Sequence, residues 1–270
     1  LIAATGIGLR LGATDILSGA QLCSRPGQVV GLIGPNGSGK SSLLRCLYGM
    51  LRPSSGAVLV GDEPIESLSQ RSIARAVAVV TQDAADDGIG ITVGEFVLLG
   101  RHVHRGDHQS FNDDDRSFAL EALELVNLSG FAGRNLQELS GGERQRVMIA
   151  RCIAQQSPVM LLDEPTNHLD VRYQHEVLAL VRSLDMETIV VLHDLNLANR
   201  YCDHLALLDK GRVVRHGPPD EVLQSDVLEP VYGIEVRRVA DGKHAYLAFG
   251  PREPCTATSD DRHRRWGHTR

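Results

Sequence analysis

The sequence predicts an α/β fold with a mainly parallel sheet at its core. Three observations carry this: short apolar runs that suit buried strands, amphipathic stretches alternating with them, and a glycine-rich loop set between one such run and a helical pattern. Val29 to Ile33 is the first apolar run, and it passes directly into Gly34-Pro35-Asn36-Gly37-Ser38-Gly39-Lys40-Ser41-Ser42 and then into the helical spacing of Leu43, Leu44 and Leu47. Further strand candidates are Ala76 to Val80, Val159 to Leu162, Thr188 to Leu192 and His204 to Leu208. Between Thr92 and Ala154 the pattern turns helical. It opens on Thr92-x-x-Glu95, a capping-box signal, and includes an apolar stripe of Phe118, Leu120, Leu123 and Val126. The acidic run Asn112 to Asp115 reads as a solvated helix start favoured by the helix dipole. The first 28 residues and Gly56 to Val60 read as short strands suited to a small antiparallel sheet beside the core. The predicted organisation is one domain over residues 1–250, a helical subdomain inserted at about 90–155, and a polar, aperiodic, disordered tail over 251–270.

Bulk properties narrow the function. A chain of 270 residues with 42% hydrophobic content can bury a sizeable core, and a net charge of -6 argues against a nucleic-acid binder, which needs a basic stripe for phosphates. Cysteines stand at 23, 46, 152, 202 and 255 without a CxxC pair, so reduced thiols are expected in place of a disulfide framework or zinc site. No apolar run approaches the roughly 18 residues that span a bilayer, so the chain itself is not expected to cross one.

The glycine loop fits G-x-x-x-x-G-K-[ST] in the strand-to-helix setting that gives the pattern meaning. Gly34, Gly37 and Gly39 let the backbone turn its N–H groups and the following helix N-terminus toward phosphates. Lys40 supplies a point charge, and the Ser41 hydroxyl suits magnesium, a hard cation that prefers oxygen. The implied ligands are ATP and Mg2+. A second acidic site closes Val159-Met160-Leu161-Leu162 with Asp163 and Glu164. Asp163 is the candidate to hold magnesium, directly or through water. Strand alternation would turn Glu164 to the other face, where it could polarise an attacking water as general base. His193 ends the apolar run TIVVLH and Gln82 follows AVAVV; taken alone, the histidine is compatible with a packed or capping residue, and the glutamine carries no information.

Leu139-Ser140-Gly141-Gly142-Glu143-Arg144-Gln145-Arg146 resembles the signature sequence of the ABC ATPase family, and the resemblance covers about residues 2 to 249. It implies that Gln82 links magnesium and water to a membrane subunit, that Asn167-His168-Leu169-Asp170 signals between cassettes, and that His193 is the switch residue at the γ-phosphate. It also implies that Ser140, Gly141 and Gly142 meet the γ-phosphate of ATP held by an opposing cassette. One chain has one phosphate loop and one signature, so a head-to-tail pair of chains sandwiching two ATP molecules is implied. The chain departs from the family at Arg10-Leu11-Gly12, where an aromatic residue usually stacks on adenine. Leu11 offers apolar contact without a π face, so loose adenine binding and poor base selectivity are expected.

TVGEFVLLGRHVHR, DEPTNHLDVRYQHEVL, HDLNLANRYCDHLALLDKGRVVRHGPPDEVL and the late VYGIEV resemble the ATPases of importers for ferric siderophores, haem and vitamin B12, with a ferric siderophore ranked first. The implied partners are a second copy of the chain, a permease pair docking around Gln82 to Arg105, and indirectly a substrate-binding protein. The implied location is peripheral, on the cytoplasmic face of the inner membrane. Two rival readings differ in kind. A soluble ABC-type machine acting on nucleic acid or ribosomes would usually carry long coiled coils or two cassettes, and neither pattern is present. A non-hydrolysing regulatory subunit would normally lack the acid or the histidine, and Glu164 and His193 are both present.

Overall fold

The computed structural model describes residues 1–81, 90–106, 109–241 and 244–251. Gln82, Cys255 and the expected tail beyond Pro251 lie outside the described residues.

The chain opens with β1 (Ile2–Leu11) and β2 (Thr14–Cys23), each ten residues long where the sequence reads as shorter pieces. The wholly buried β3 (Val29–Ile33) leads through the glycine loop into α1 (Lys40–Leu47), whose Leu43, Leu44 and Leu47 are fully buried. β4 (Ser55–Val60), β5 (Glu63–Pro64), α2 (Gln70–Ala76) and β6 (Val77–Val80) follow. Ala76, read as the start of a strand, ends a helix instead: α2 starts at the Ser69 cap, and its bonding runs on to the Val77 N–H, which donates to the Ile73 carbonyl. Then come α3 (Val93–Leu98), a 3₁₀ stretch over Leu99–His104, α4 (Asp113–Leu125) and α5 (Gly141–Ala154). The rest alternates: β7 (Val159–Leu162), α6 (Val171–Ser183), β8 (Glu187–Val191), α7 (Leu195–Tyr201), β9 (His204–Asp209) and β10 (Arg212–Gly217). It closes with α8 (Pro219–Val222), α9 (Ser225–Tyr232), β11 (Ile234–Asp241) and β12 (His244–Pro251).

The central sheet has six strands in the order β10-β9-β3-β8-β7-β6, parallel throughout except for the β9–β10 edge pair. A four-stranded antiparallel sheet, β2-β1-β4-β5, lies beside it, and among the described residues β11 pairs with β12 alone. Residues one apart along the central strands enter opposite cores, as the two-residue period of a strand requires. Val30, Leu32, Leu161, Val191 and Leu208 pack with α1 and the antiparallel sheet. Ile33, Leu162, Val190, Leu192 and Leu207 pack against the helices on the other side. Both faces are covered, which explains why these strands read as unbroken apolar runs.

Two helical expectations are corrected on α4. Its buried stripe is Ala119, Ala122 and Leu123, continued by Val126, with i, i+3, i+4, i+7 spacing, whereas Leu120 is half exposed. Alanines mask that face in the sequence. Asn112 does cap α4, accepting the Asp115 N–H, and Asp113 and Asp114 are exposed. Asp115, however, is buried at 1% exposure: its carboxylate faces Arg101 Nε at 3.2 Å and Arg105 Nε at 2.6 Å. Arg101 Nη1 also donates to the Ala154 carbonyl at the C-terminal end of α5, at 2.8 Å.

Candidate functional site

Val29–Ile33 lies at the centre of the parallel sheet, so the loop that follows emerges at the sheet's C-terminal edge, where crevices for ligands form in such folds. Gly34, Gly37 and Gly39 hold φ of 145°, 77° and 104°. At Gly34 any side chain would run into the Leu208 carbonyl and Ser38 Oγ, so the loop can follow this path only with glycine there. Gly39 caps α1 without a side-chain hydrogen bond, leaving the first N–H groups of the helix available to a ligand. The Gly211 N–H braces the loop from β10's turn by donating to the Ser38 carbonyl at 2.9 Å.

Lys40 is 5% exposed and its ammonium donates to the Gly34 and Pro35 carbonyls at 2.9 and 3.0 Å. Burial lowers its pKa, opposed by the charges of Glu164 and Asp163. Ser41 Oγ donates to Asp163 Oδ1 at 3.0 Å. Burial raises the Asp163 pKa, with the Glu164 charge adding to the rise and the Ser41 hydroxyl opposing it.

Glu164 reaches the site by a route that strand alternation misstates. β7 ends at Leu162, and the Asp163 N–H donates to the Val80 carbonyl. Glu164 itself adopts φ 53°, a left-handed turn that is uncommon away from glycine and concentrated at functional sites. His193 Nε2 lies 2.5 Å from Glu164 Oε1, and Asn167 Nδ2 donates to Glu164 Oε2. Asn167 is a contributor that the sequence places in the neighbouring loop without giving it this role; only its three-residue spacing from Glu164 hints at it.

Asn36, Lys40, Ser41, Ser42, Glu164, Asn167 and His193 line one cleft of about 750 Å³, to which Ile16 adds an apolar wall. Ser140, Gly141, Gly142 and Asp170 do not line it. Ser140 caps α5, its hydroxyl donating to Glu143 Oε2 at 2.7 Å, and Asp170 caps α6 by accepting the Tyr173 N–H at 3.0 Å. Gly142 is buried so close to α6 that a Cβ there would meet the Tyr173 ring at 2.7 Å. Gln82 lies outside the described residues.

The cleft suits a nucleotide's phosphates with magnesium. Ser38 Oγ is buried without a hydrogen-bond partner among the described residues. The Lys40 ammonium and the open helix N–H groups are donors suited to phosphate oxygens, while the Ser41 hydroxyl and the buried Asp163 carboxylate are the oxygen donors a hard cation prefers.

A strand, a glycine loop and a helix on a parallel sheet, with a carboxylate facing the loop's serine, define the P-loop NTPase class. Within that class, this chain belongs to the ABC transporter family, whose model matches residues 17–167. A hemin import ATP-binding protein of Pseudomonas entomophila is 43% identical over 86% of this chain and 92% of its own length. A cobalamin import ATP-binding protein of Halobacterium salinarum is 38% identical over 95% of this chain, which spans 65% of that relative's length. Among solved structures, an inward-facing putative metal-chelate type ABC transporter superposes with a TM-score of 0.80 at 27% identity, covering 93% of this chain and 96% of that one.

Proposed function

We propose that the chain is the ATP-hydrolysing subunit of an ABC importer whose cargo is a ferric siderophore, haem or cobalamin, with a ferric siderophore ranked first. The observation that carries the hydrolytic part is the set of contacts around Glu164, with His193 and Asn167 fixing one carboxylate oxygen each at the mouth of the phosphate cleft. The relatives' roles in hemin and cobalamin import support the choice of cargo class.

Ser41 and Asp163 would hold magnesium, together with Gln82. With magnesium held by these residues, its positive charge would offset the negative charge of the phosphates. Lys40 and the open N–H groups of α1 bind and orient the triphosphate. Glu164 takes a proton from water as the water oxygen bonds to the γ-phosphorus and the bond from phosphorus to ADP breaks. His193 holds Glu164 in place and presents its ring toward the departing phosphoryl group.

Within one chain the cleft is lined by the phosphate loop but not by Ser140 to Gly142. A head-to-tail pair of chains would bring the N-terminus of α5 and its positive dipole end onto the partner's ATP. That closure would drive a membrane permease, with the chain seated peripherally at the cytoplasmic face of the inner membrane and a substrate-binding protein delivering cargo from the far side.

Phosphate release from ATP by the wild-type chain, with and without magnesium, tests the hydrolytic part, and cargo uptake by cells carrying the chain with its permease tests the rest. Magnesium-dependent turnover is expected, together with uptake of one of the three cargo classes that stops in Lys40→Ala. An absence of turnover both alone and with the permease would overturn the proposal.

A further inference from the structure

The C-terminal hairpin is fastened to the helix that follows His193. Asn196, in the first turn of α7, donates from Nδ2 to the Leu247 carbonyl at 3.1 Å and accepts the Leu247 N–H on Oδ1 at 2.7 Å. Among the described residues β12 pairs with β11 on one side only, and the Asn196 amide satisfies both the N–H and the carbonyl of Leu247, as a neighbouring strand would. The hairpin is itself anchored. Leu247 and Val236 are buried in the same core as Leu195 and Leu197, the Val236 N–H donates to Glu229 Oε1 at 3.0 Å, and Ser225 Oγ donates to the Val236 carbonyl at 2.7 Å.

The other side of this clamp leads to the reacting groups. Asp194 Oδ1 accepts the N–H groups of Asn196 and Leu197 at 2.7 and 3.0 Å, so the turn held by Leu247 also fixes the residue next to His193. Upstream, the Leu192 N–H is tied to the Leu32 carbonyl at 3.1 Å. His193 therefore spans a short bridge between the central sheet and a helix of seven residues, too short to be stable unaided. Its ring reaches Glu164 only if both ends of the bridge keep their places.

We infer that Asn196 is a positioning residue for His193, locking the switch segment to the C-terminal hairpin so that the imidazole stays on Glu164. This rests on the proposed part of His193 in hydrolysis. The hairpin then belongs to the hydrolytic apparatus: loosening β12 would slacken the histidine without touching the phosphate loop.

The test uses the full chain with Asn196→Ala, His193→Ala and the double substitution. A misplacement of about 1 Å can cost about a hundredfold, so Asn196→Ala is expected to lower kcat by about tenfold or more. The KM for ATP should stay within about twofold, since binding rests on the phosphate loop, and the double variant should be no slower than His193→Ala, as for residues acting through one another. A second readout is independent of turnover: the ring signal of His193 in histidine-labelled protein, identified by its loss in His193→Ala, should shift in Asn196→Ala while the thermal midpoint stays above the assay temperature. An unmoved ring signal, or an equal loss of kcat in both histidine backgrounds, would overturn the inference. Should His193→Ala hydrolyse at the wild-type rate, the proposed role of His193 fails, while the ring signal still decides whether the clamp positions it.

Discussion

Ser41 and Asp163 are joined by a 3.0 Å hydrogen bond from hydroxyl to carboxylate, although 122 positions separate them in the chain. The bond spans the seam between the phosphate loop and the end of β7, bringing together two of the three residues proposed to hold magnesium. Asp163 keeps a carboxylate in a buried setting that raises its pKa, with that hydroxyl as the chief opposing influence.

Asp163→Asn should abolish the magnesium dependence of ATP binding while making the nucleotide-free fold more stable. The sign follows from the raised pKa: folding disfavours the ionised form, a penalty absent below the unfolded-state pKa and complete above the folded one. The variant's gain in thermal midpoint should therefore grow as pH rises from the unfolded-state pKa to the folded one, level off above it, and vanish on the acid side. Melting curves across that range, with magnesium-ATP titrations, check both halves.

Asp115→Ala should cost about 3–5 kcal/mol in urea unfolding, the usual penalty for removing one partner of a buried ion pair, because Arg101 and Arg105 would face an empty site. Burial pushes the Asp115 pKa up, but Arg105, the Asn112 N–H and Arg101 together outweigh it and hold the carboxyl below its usual range. The stabilisation is thus present above the unfolded-state pKa, about 3.9, and is lost as pH falls toward the lower folded value. In Asp115→Ala this acid-side loss should be reduced.

Leu11 is 48% exposed at the turn between β1 and β2 and presents no aromatic face. ATP and GTP should therefore bind within about tenfold of each other. Leu11→Tyr should tighten ATP binding by about 0.5–1.5 kcal/mol, the worth of an aromatic contact beyond its area. Calorimetric titration of both nucleotides into both proteins measures it.

What the sequence made legible was local. The phosphate loop is contiguous, its neighbours Val29–Ile33 and Lys40–Leu47 carry their own periodicities, and the capping box at Thr92 is readable within four residues. The path of Glu164 was hidden because alternation assumes that the strand continues, while the backbone turns left-handed one residue past Asp163. Asp115 looked solvated because its partners Arg101 and Arg105 come from another element, and the small side chains of Ala119 and Ala122 disguised the buried face of α4. The bond from Asn196 to Leu247 joins positions 51 apart and leaves no trace in spacing or composition.

Glu164, seated by His193 and Asn167, is the proposed general base of an ATPase that works as a pair of chains. Glu164→Gln tests it most directly, since it keeps the side chain's size and removes the base; turnover and solution mass are measured with magnesium and ATP, with and without the permease. Hydrolysis should fall by about a hundredfold or more, in line with general-base removal, while an ATP-bound dimer accumulates. Hydrolysis at the wild-type rate, or a chain that stays monomeric with ATP even beside its permease, would contradict it.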